Sequence, residues 1–373
     1  MTGKSAFGAA CLLACAMPAQ AQSSLTIYGI LDAGLTYIDD QAGHSSFQFA
    51  EGINYGNRFG LRGQEDLGGG YATVFNLENG FSLGTGNLRQ GGRLFGRQAF
   101  VGMRTPAGTL TMGRQYDFMR DYVQQFNVGG YASVYAGHQG DFDRISGKQL
   151  DRSVKYASPN LSGLSFGAMY SFGPEFESSR GNAWSLGAGY KSGPLSVGAM
   201  YTRLNDVAVF PYLTSGLYSF LGQPSAVADP ASGETIDLFP AGYQVEYQGI
   251  AGLGASWRFA NGVAVMANTT AITFDDGRTS STQRIYEAGV VFPLAPALTG
   301  IAAYQYAKFE GTHWNQPTVG VRYDLSKRTW LYASASFLKA SGGTDASQGA
   351  GFYTIPAYGD TQTTMRVAMV HTF

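Results

Sequence analysis

Apolar and polar residues alternate along this chain with a period of two. From Leu25 to Tyr37, one face carries Leu25, Ile27, Gly29, Leu31, Ala33, Leu35 and Tyr37. The other carries Thr26, Tyr28, Ile30, Asp32, Gly34 and Thr36. Successive side chains of a strand point to opposite sides of its sheet, so this pattern predicts a strand with one apolar and one mixed face. Tyr71 to Leu77 repeats it, with Tyr71, Thr73, Phe75 and Leu77 opposite Ala72, Val74 and Asn76, and with Glu78 continuing the second face. At the end of the chain, Met365, Val367, Met369, His371 and Phe373 oppose Arg366, Ala368, Val370 and Thr372. Helical spacing is hard to find after residue 21.

Short stretches of turn-forming residues punctuate the alternation. They fall at Glu65–Gly70, Thr105–Thr109, Ser158–Gly163, Lys191–Leu195, Arg258–Val263, Pro293–Leu298 and Asp324–Thr329. Each interval between them is long enough for an outgoing strand, a polar loop and a returning strand. Seven short turns join fourteen strands, and the first and last strands make sixteen. A sheet with one lipid-facing side must close on itself, because an open edge would leave backbone groups unpaired in hydrocarbon. The expected fold is therefore all-β, a transmembrane antiparallel β-barrel of 16 strands with short periplasmic turns and long extracellular loops. Two connections exceed the rhythm, Tyr116 to Asp151 and Leu204 to about Tyr247. The second, with Phe210-Pro211-Tyr212-Leu213, reads equally as a packed lobe or a binding surface. No domain boundary interrupts the pattern.

Composition supports a membrane setting. Charged residues are 14% and aromatics 14% of the chain, with 52 glycines, whereas soluble domains carry about 25% charge. The first residues form a separate element. Lys4, the apolar stretch Ala6 to Met17, and Ala19-Gln20-Ala21 fit a signal peptide cleaved after residue 21. The barrel would then occupy 22–373. A lipobox reading of Leu12-Leu13-Ala14-Cys15 remains open. Cys11 and Cys15 both precede residue 22, so the remainder has no thiol chemistry and no disulfide. Near-neutral charge argues against nucleic acid as a partner. His44, His138, His313 and His371 are scattered without metal-ligand spacing, so no metal or other cofactor is expected.

Several segments together resemble the general diffusion porins of Gram-negative bacteria, in the branch common in Burkholderia, Bordetella and Neisseria. They are 24–29 (Ser-Leu-Thr-Ile-Tyr-Gly), 57–68 (Asn-Arg-Phe-Gly-Leu-Arg-Gly-Gln-Glu-Asp-Leu-Gly), 95–102, 113–116, 323–329 and the closing His371-Thr372-Phe373. The resemblance spans residues 24 to 373. It implies an outer-membrane homotrimer with a third loop folded into the lumen, passing small hydrophilic solutes and ions by passive diffusion. The surroundings it implies are the lipid bilayer and its lipopolysaccharide. It also makes Val367, Met369, His371 and Phe373 the signal read by the outer-membrane insertion machinery.

Pores of this kind discriminate by width and by charges at the narrowest level. Alternation places Arg58 and Arg62 opposite Phe59 and Leu61, hence toward the lumen, and Lys155 between Val154 and Tyr156 likewise. Arg97 matches the arginine that the family places on the constriction wall, with Gln98 and Phe100 turned outward. Arg114 shares parity with Leu110 and Met112, which leaves it doubtful. The resemblance implies an acidic side on the third loop, for which Asp117 and Asp121 are candidates, with Asp32 adding to it. Asp141 and Asp143 read as loop charges kept for solubility. At the expected loop tip, Asn127 stands where related chains often carry an acid, which tilts the expectation toward mild anion preference. The second loop often reaches a neighbouring subunit in this family, so Arg89 and Arg93 are candidate trimer contacts or simply exposed. The alternatives are a channel for one substrate class, a barrel enzyme and an adhesin. A barrel enzyme needs a histidine constellation on the outer strands that the sequence does not offer.

Overall fold

Every stretch of alternating residues forms a strand whose apolar side faces outward. The computed structural model describes residues 23–174, 180–349 and 355–373; the predicted signal segment lies outside the described residues. The strands are β1 (Ser24–Gln41), β2 in two segments (His44–Glu51 and Arg58–Gly68), β3 (Tyr71–Gly80), β4 (Gln98–Thr105) and β5 (Gly108–Tyr116). Then come β6 (Gln149–Ala157), β7 (Leu164–Ser171), β8 (Ala183–Ser192), β9 (Leu195–Val209), β10 (Tyr243–Arg258) and β11 (Ala264–Asp275). The wall ends with β12 (Ser280–Ala295), β13 (Leu298–Phe309), β14 (Thr312–Asp324), β15 (Thr329–Ser341) and β16 (Thr361–Thr372). All neighbours are antiparallel, and β16 pairs back onto β1 from Ile30↔Thr372 to Ile38↔Thr364. The circle is closed at sixteen strand positions, and all seven predicted short turns fall at strand junctions on one rim.

The first strand shows the two faces well. Leu25 and Ile27 are 65% and 66% exposed on the outer side, whereas Asp32 and Thr36 are fully buried on the inner side. β1 is long enough to pair twice with β2. Its first half meets Arg58–Gln64 and its second half meets His44–Glu51. Between those segments residues 52–57 leave the sheet, and Asp32 holds them. Its carbonyl accepts from Gly52 N at 2.7 Å, its amide donates to Asn57 Oδ1 at 2.6 Å, and its carboxylate accepts from Asn54 N at 2.7 Å.

Both long connections are structured. The strands flanking the second run further than the sequence suggested, to Val209 and from Tyr243. Between them lie a helical turn, Pro211–Ser215, and two minimal hairpins. Leu217, Phe220 and Leu221 are buried against Phe274 and Phe309 of β11 and β13, so this connection is a packed lobe. The first connection, residues 117–148, turns into the barrel.

Candidate pore constriction

Aromatic residues four apart bring the inner loop against the wall. Phe118 precedes the helical turn Met119–Val123, Tyr122 lies within it and Phe126 ends the next turn, Gln124–Phe126, so at a spacing of four they share one side. The wall opposite them is glycine. A methyl group at Gly198 would lie 2.0 Å from the Tyr122 carbonyl oxygen, and one at Gly254 2.2 Å from the Phe126 ring. Glycine in a strand interior commonly marks such a close approach. Gly198→Ala is therefore expected to push the loop off β9, since overpacking costs about 1–3 kcal/mol. Single-channel recording should then show a broadened conductance distribution; a wild-type distribution would count against this seating.

The rest of the loop is fastened by side-chain amides, one from each of five adjacent strands. Gln248 donates to Phe142 O at 2.5 Å, Asn268 to Phe126 O at 3.0 Å and Gln283 to Gln139 O at 3.3 Å. Gln305 donates to Gly137 O at 3.1 Å and Gln316 to Tyr135 O at 2.8 Å. Each amide satisfies a loop carbonyl that would otherwise be buried unpaired, which is costly. At their centre sits His138, fully buried. One ring nitrogen meets Asp143 and the other meets Glu287 at 3.1 Å. Glu287 also accepts from Gly129 N and from Asn268 at 2.6 Å. The segment Asn127–Tyr131 forms a short helix, Val128–Ala132, capped by Asn127, whose side chain accepts from Gly130 N.

The loop leaves a cavity of about 890 Å³ between itself and the opposite wall. Arg58, Arg89, Arg97, Arg120 and Lys148 line it, and among the described residues Asp121 is its single acidic lining residue. Arg97 donates to Glu78 at 2.8 Å and to the Tyr116 hydroxyl at 2.7 Å. Arg58 approaches the same Glu78 at 3.6 Å. One buried carboxylate thus serves two guanidinium groups and leaves a net positive charge. Arg120 stacks on Tyr116 at 4.5 Å beside them.

Other predicted residues fall elsewhere. Arg62 stays on the inner side, over the Tyr28 ring at 5.1 Å, but does not line this cavity. Lys155 points inward and pairs with Asp121 at 2.5 Å, so these two expected opposites neutralise one another. Asp117 is not at the acidic side of the cavity: it is fully buried and paired with Arg144 at 2.5 Å. Asp32 is likewise enclosed in the wall, paired with Arg366 at 2.9 Å. Asp141 and Asp143 are buried anchors rather than solvated loop charges, Asp141 pairing with Lys148 at 3.0 Å. The parity expected after Arg97 is reversed. Val101 and Met103, 55% and 46% exposed, take the outer face, so Gln98 and Phe100 do not. Arg97 faces the cavity because it lies before β4 begins. Arg114 pairs with Asp151 at 2.5 Å, Arg93 with the same acid at 3.1 Å, and Arg89 with Glu51 at 2.9 Å. At the end of the chain Val367 and Met369 are exposed on the outer wall. Phe373 closes onto Gly29 backbone to backbone at 3.0 and 3.1 Å, and His371 meets Thr329 at 2.9 Å.

Sequence reasoning missed Arg120, Glu78 as the shared counter-ion, and the His138 cluster. Parity put Glu78 on the mixed face of its strand, but only the register Arg58↔Gly80 and Glu78↔Gln98 brings it between two arginines.

A family model described as Gram-negative porin matches residues 8–343. An outer membrane porin protein of Bordetella pertussis is 32% identical, covering 90% of this chain and 94% of its own. Among solved structures, the anion-selective porin from Comamonas acidovorans superposes with a TM-score of 0.76 at 22% identity, over 94% of this chain and 100% of that one. OmpT of Vibrio cholerae in its trimer form does so with a TM-score of 0.67 at 15% identity, over 94% and 99%.

Proposed function

Because the chain belongs to the Gram-negative porins, channels of the outer membrane and not enzymes, we propose that Arg58, Arg97 and Arg120 form its selective wall. The channel carries small hydrophilic solutes and ions by passive diffusion. In our reading it passes small anions somewhat better than cations. The observation that carries this is the lining: five cationic side chains and one acid face the cavity. Low-dielectric walls focus the field of such charges far more than the net charge of the chain would suggest. The anion-selective porin named above shares the fold and is consistent with this reading.

Planar-bilayer recording under a salt gradient tests it. The wild-type reversal potential should report mild anion preference. Arg97→Glu and Arg120→Glu should each move it toward cations, and Asp121→Asn should move it further toward anions. An unmoved potential in both arginine variants would sink the assignment.

We further propose a homotrimer, a reading that the trimer form of OmpT supports, with Arg93 near the contact; Arg89, which lines the cavity, is not placed there. Cleavage after Ala21 and reading of Val367, Met369, His371 and Phe373 by the insertion machinery complete the proposed route. Conductance closing in three equal steps is expected of a trimer.

A further inference from the structure

We propose that the outer wall of β12–β14 binds the phosphorylated headgroup of an outer-leaflet lipid, at a site built by Arg284, Lys308 and His313. This rests on the outer-membrane placement above. The register sets the three side chains in one row, Arg284↔Lys308 and Lys308↔His313. They share the outward side, since their strand neighbours Gln283, Ile285, Ala307, Phe309 and Trp314 are all buried on the other. Directly opposed residues have Cβ atoms about 4.5–5.5 Å apart, and like charges there are destabilising. Neither Arg284 nor Lys308 has an ion-pair partner among the described residues, so the wall leaves that repulsion unanswered. Glu310 at the rim of the recess is turned to the lobe, where it accepts from Leu221 N at 3.2 Å.

Height on the wall identifies the occupant. From Leu298 at the short-turn rim to Lys308 is ten residues of β13. At about 3.3 Å per residue and a tilt of about 40° that is roughly 25 Å, the height of the apolar band. The row therefore stands at the headgroup level of the opposite leaflet. Exposed Tyr286 and Tyr304 lie just beneath it, as aromatic residues do at a membrane interface. The connections above it, 276–279 and 310–311, are too short to overhang it. A phosphate seated between Arg284 and Lys308 would accept from both and from a ring N–H of His313. It would turn a repulsive cross-strand pair into charge-assisted hydrogen bonds.

Native mass spectrometry of the refolded full channel with bisphosphorylated lipid A supplies the test. Wild type should retain the lipid, and Arg284→Gln with Lys308→Gln should weaken binding about tenfold or more. Lys327→Gln, at the opposite rim, should leave it unchanged. Both variants should keep wild-type conductance, which separates failure of the site from failure of the porin reading. Should the double variant not fold, Lys308→Gln alone serves. Undiminished binding in the Arg284 and Lys308 variants, or equal retention of dephosphorylated lipid A, would overturn the site. So would displacement by millimolar inorganic phosphate, which would mark a free-anion site, or dissociation of the oligomer, which would mark an interface between copies.

Discussion

Replacing His138 with leucine is expected to release the inner loop from the far wall, raising single-channel conductance and adding rapid flicker to the open level. His138 is the shared cation of two buried carboxylates, Asp143 and Glu287, and all three side chains are fully buried. Removing it leaves two acids of like charge side by side without a counter-ion, which costs about 3–5 kcal/mol. The loop can escape that cost only by leaving the wall. Burial alone would push the imidazole down, but Asp143, aided by Glu287, overrules it and raises His138 from its ordinary 6.5 to about 10. The sign follows directly. A raised value means that the charged latch contributes fully below about pH 6.5 and weakens above it. It is lost once the pH passes about 10. Asp143 is shifted the other way: burial would raise it, but the His138 charge holds it below its ordinary range. Its share is present above about pH 3.8 and fades as the pH falls through the lowered value. Wild-type channels should therefore be quiet at neutral pH and begin to flicker above pH 10. The leucine variant should flicker at both. A variant as quiet as wild type at pH 7 would show that the five wall amides hold the loop without the latch.

Arg366→Met should have a comparable effect on the barrel itself. Arg366 lies on the last strand, and every nitrogen of its guanidinium is engaged. Nε donates to the Tyr332 hydroxyl at 2.6 Å, Nη1 to Thr36 at 3.0 Å and Nη2 to Asp32 at 2.9 Å, with Ala50 O accepting from both terminal nitrogens. Asp32 in turn anchors residues 52–57 beneath the break in β2. The pair thus ties the closing seam to the interrupted strand. Methionine fills the volume and leaves Asp32 buried without its cation, a loss of about 3–5 kcal/mol. Heat-modified gel mobility should show the barrel opening at a markedly lower temperature. Adding Asp32→Asn should recover part of the loss, because it removes the orphaned charge. Equal melting of Arg366→Met and wild type would refute the role of the seam.

Much of the wall was legible from residue order. Alternation at Leu25–Tyr37 assigned the outer side correctly, because lipid punishes a misplaced charge more than water does. Turn residues marked one rim. Parity failed for Gln98 and Phe100, counted from Arg97, because Arg97 lies before the strand begins and a rule of period two holds only inside a continuous ladder. It also could not tell a lumenal acid from a buried one. Asp32 and Asp121 both read as inward, yet Arg366 encloses the first and the second stands open beside Lys155.

The sequence by itself determined the class of fold, the strand count, the closure near Phe373 and the inward side of Arg58, because each follows from local period and turn chemistry. Only the tertiary structure decided which charges remain facing the pore. Glu78 between two arginines, His138 between two acids and the Tyr122 carbonyl against Gly198 join residues far apart in the chain. Such contacts depend on strand register and on the path of the inner loop, and neither is written in a local pattern.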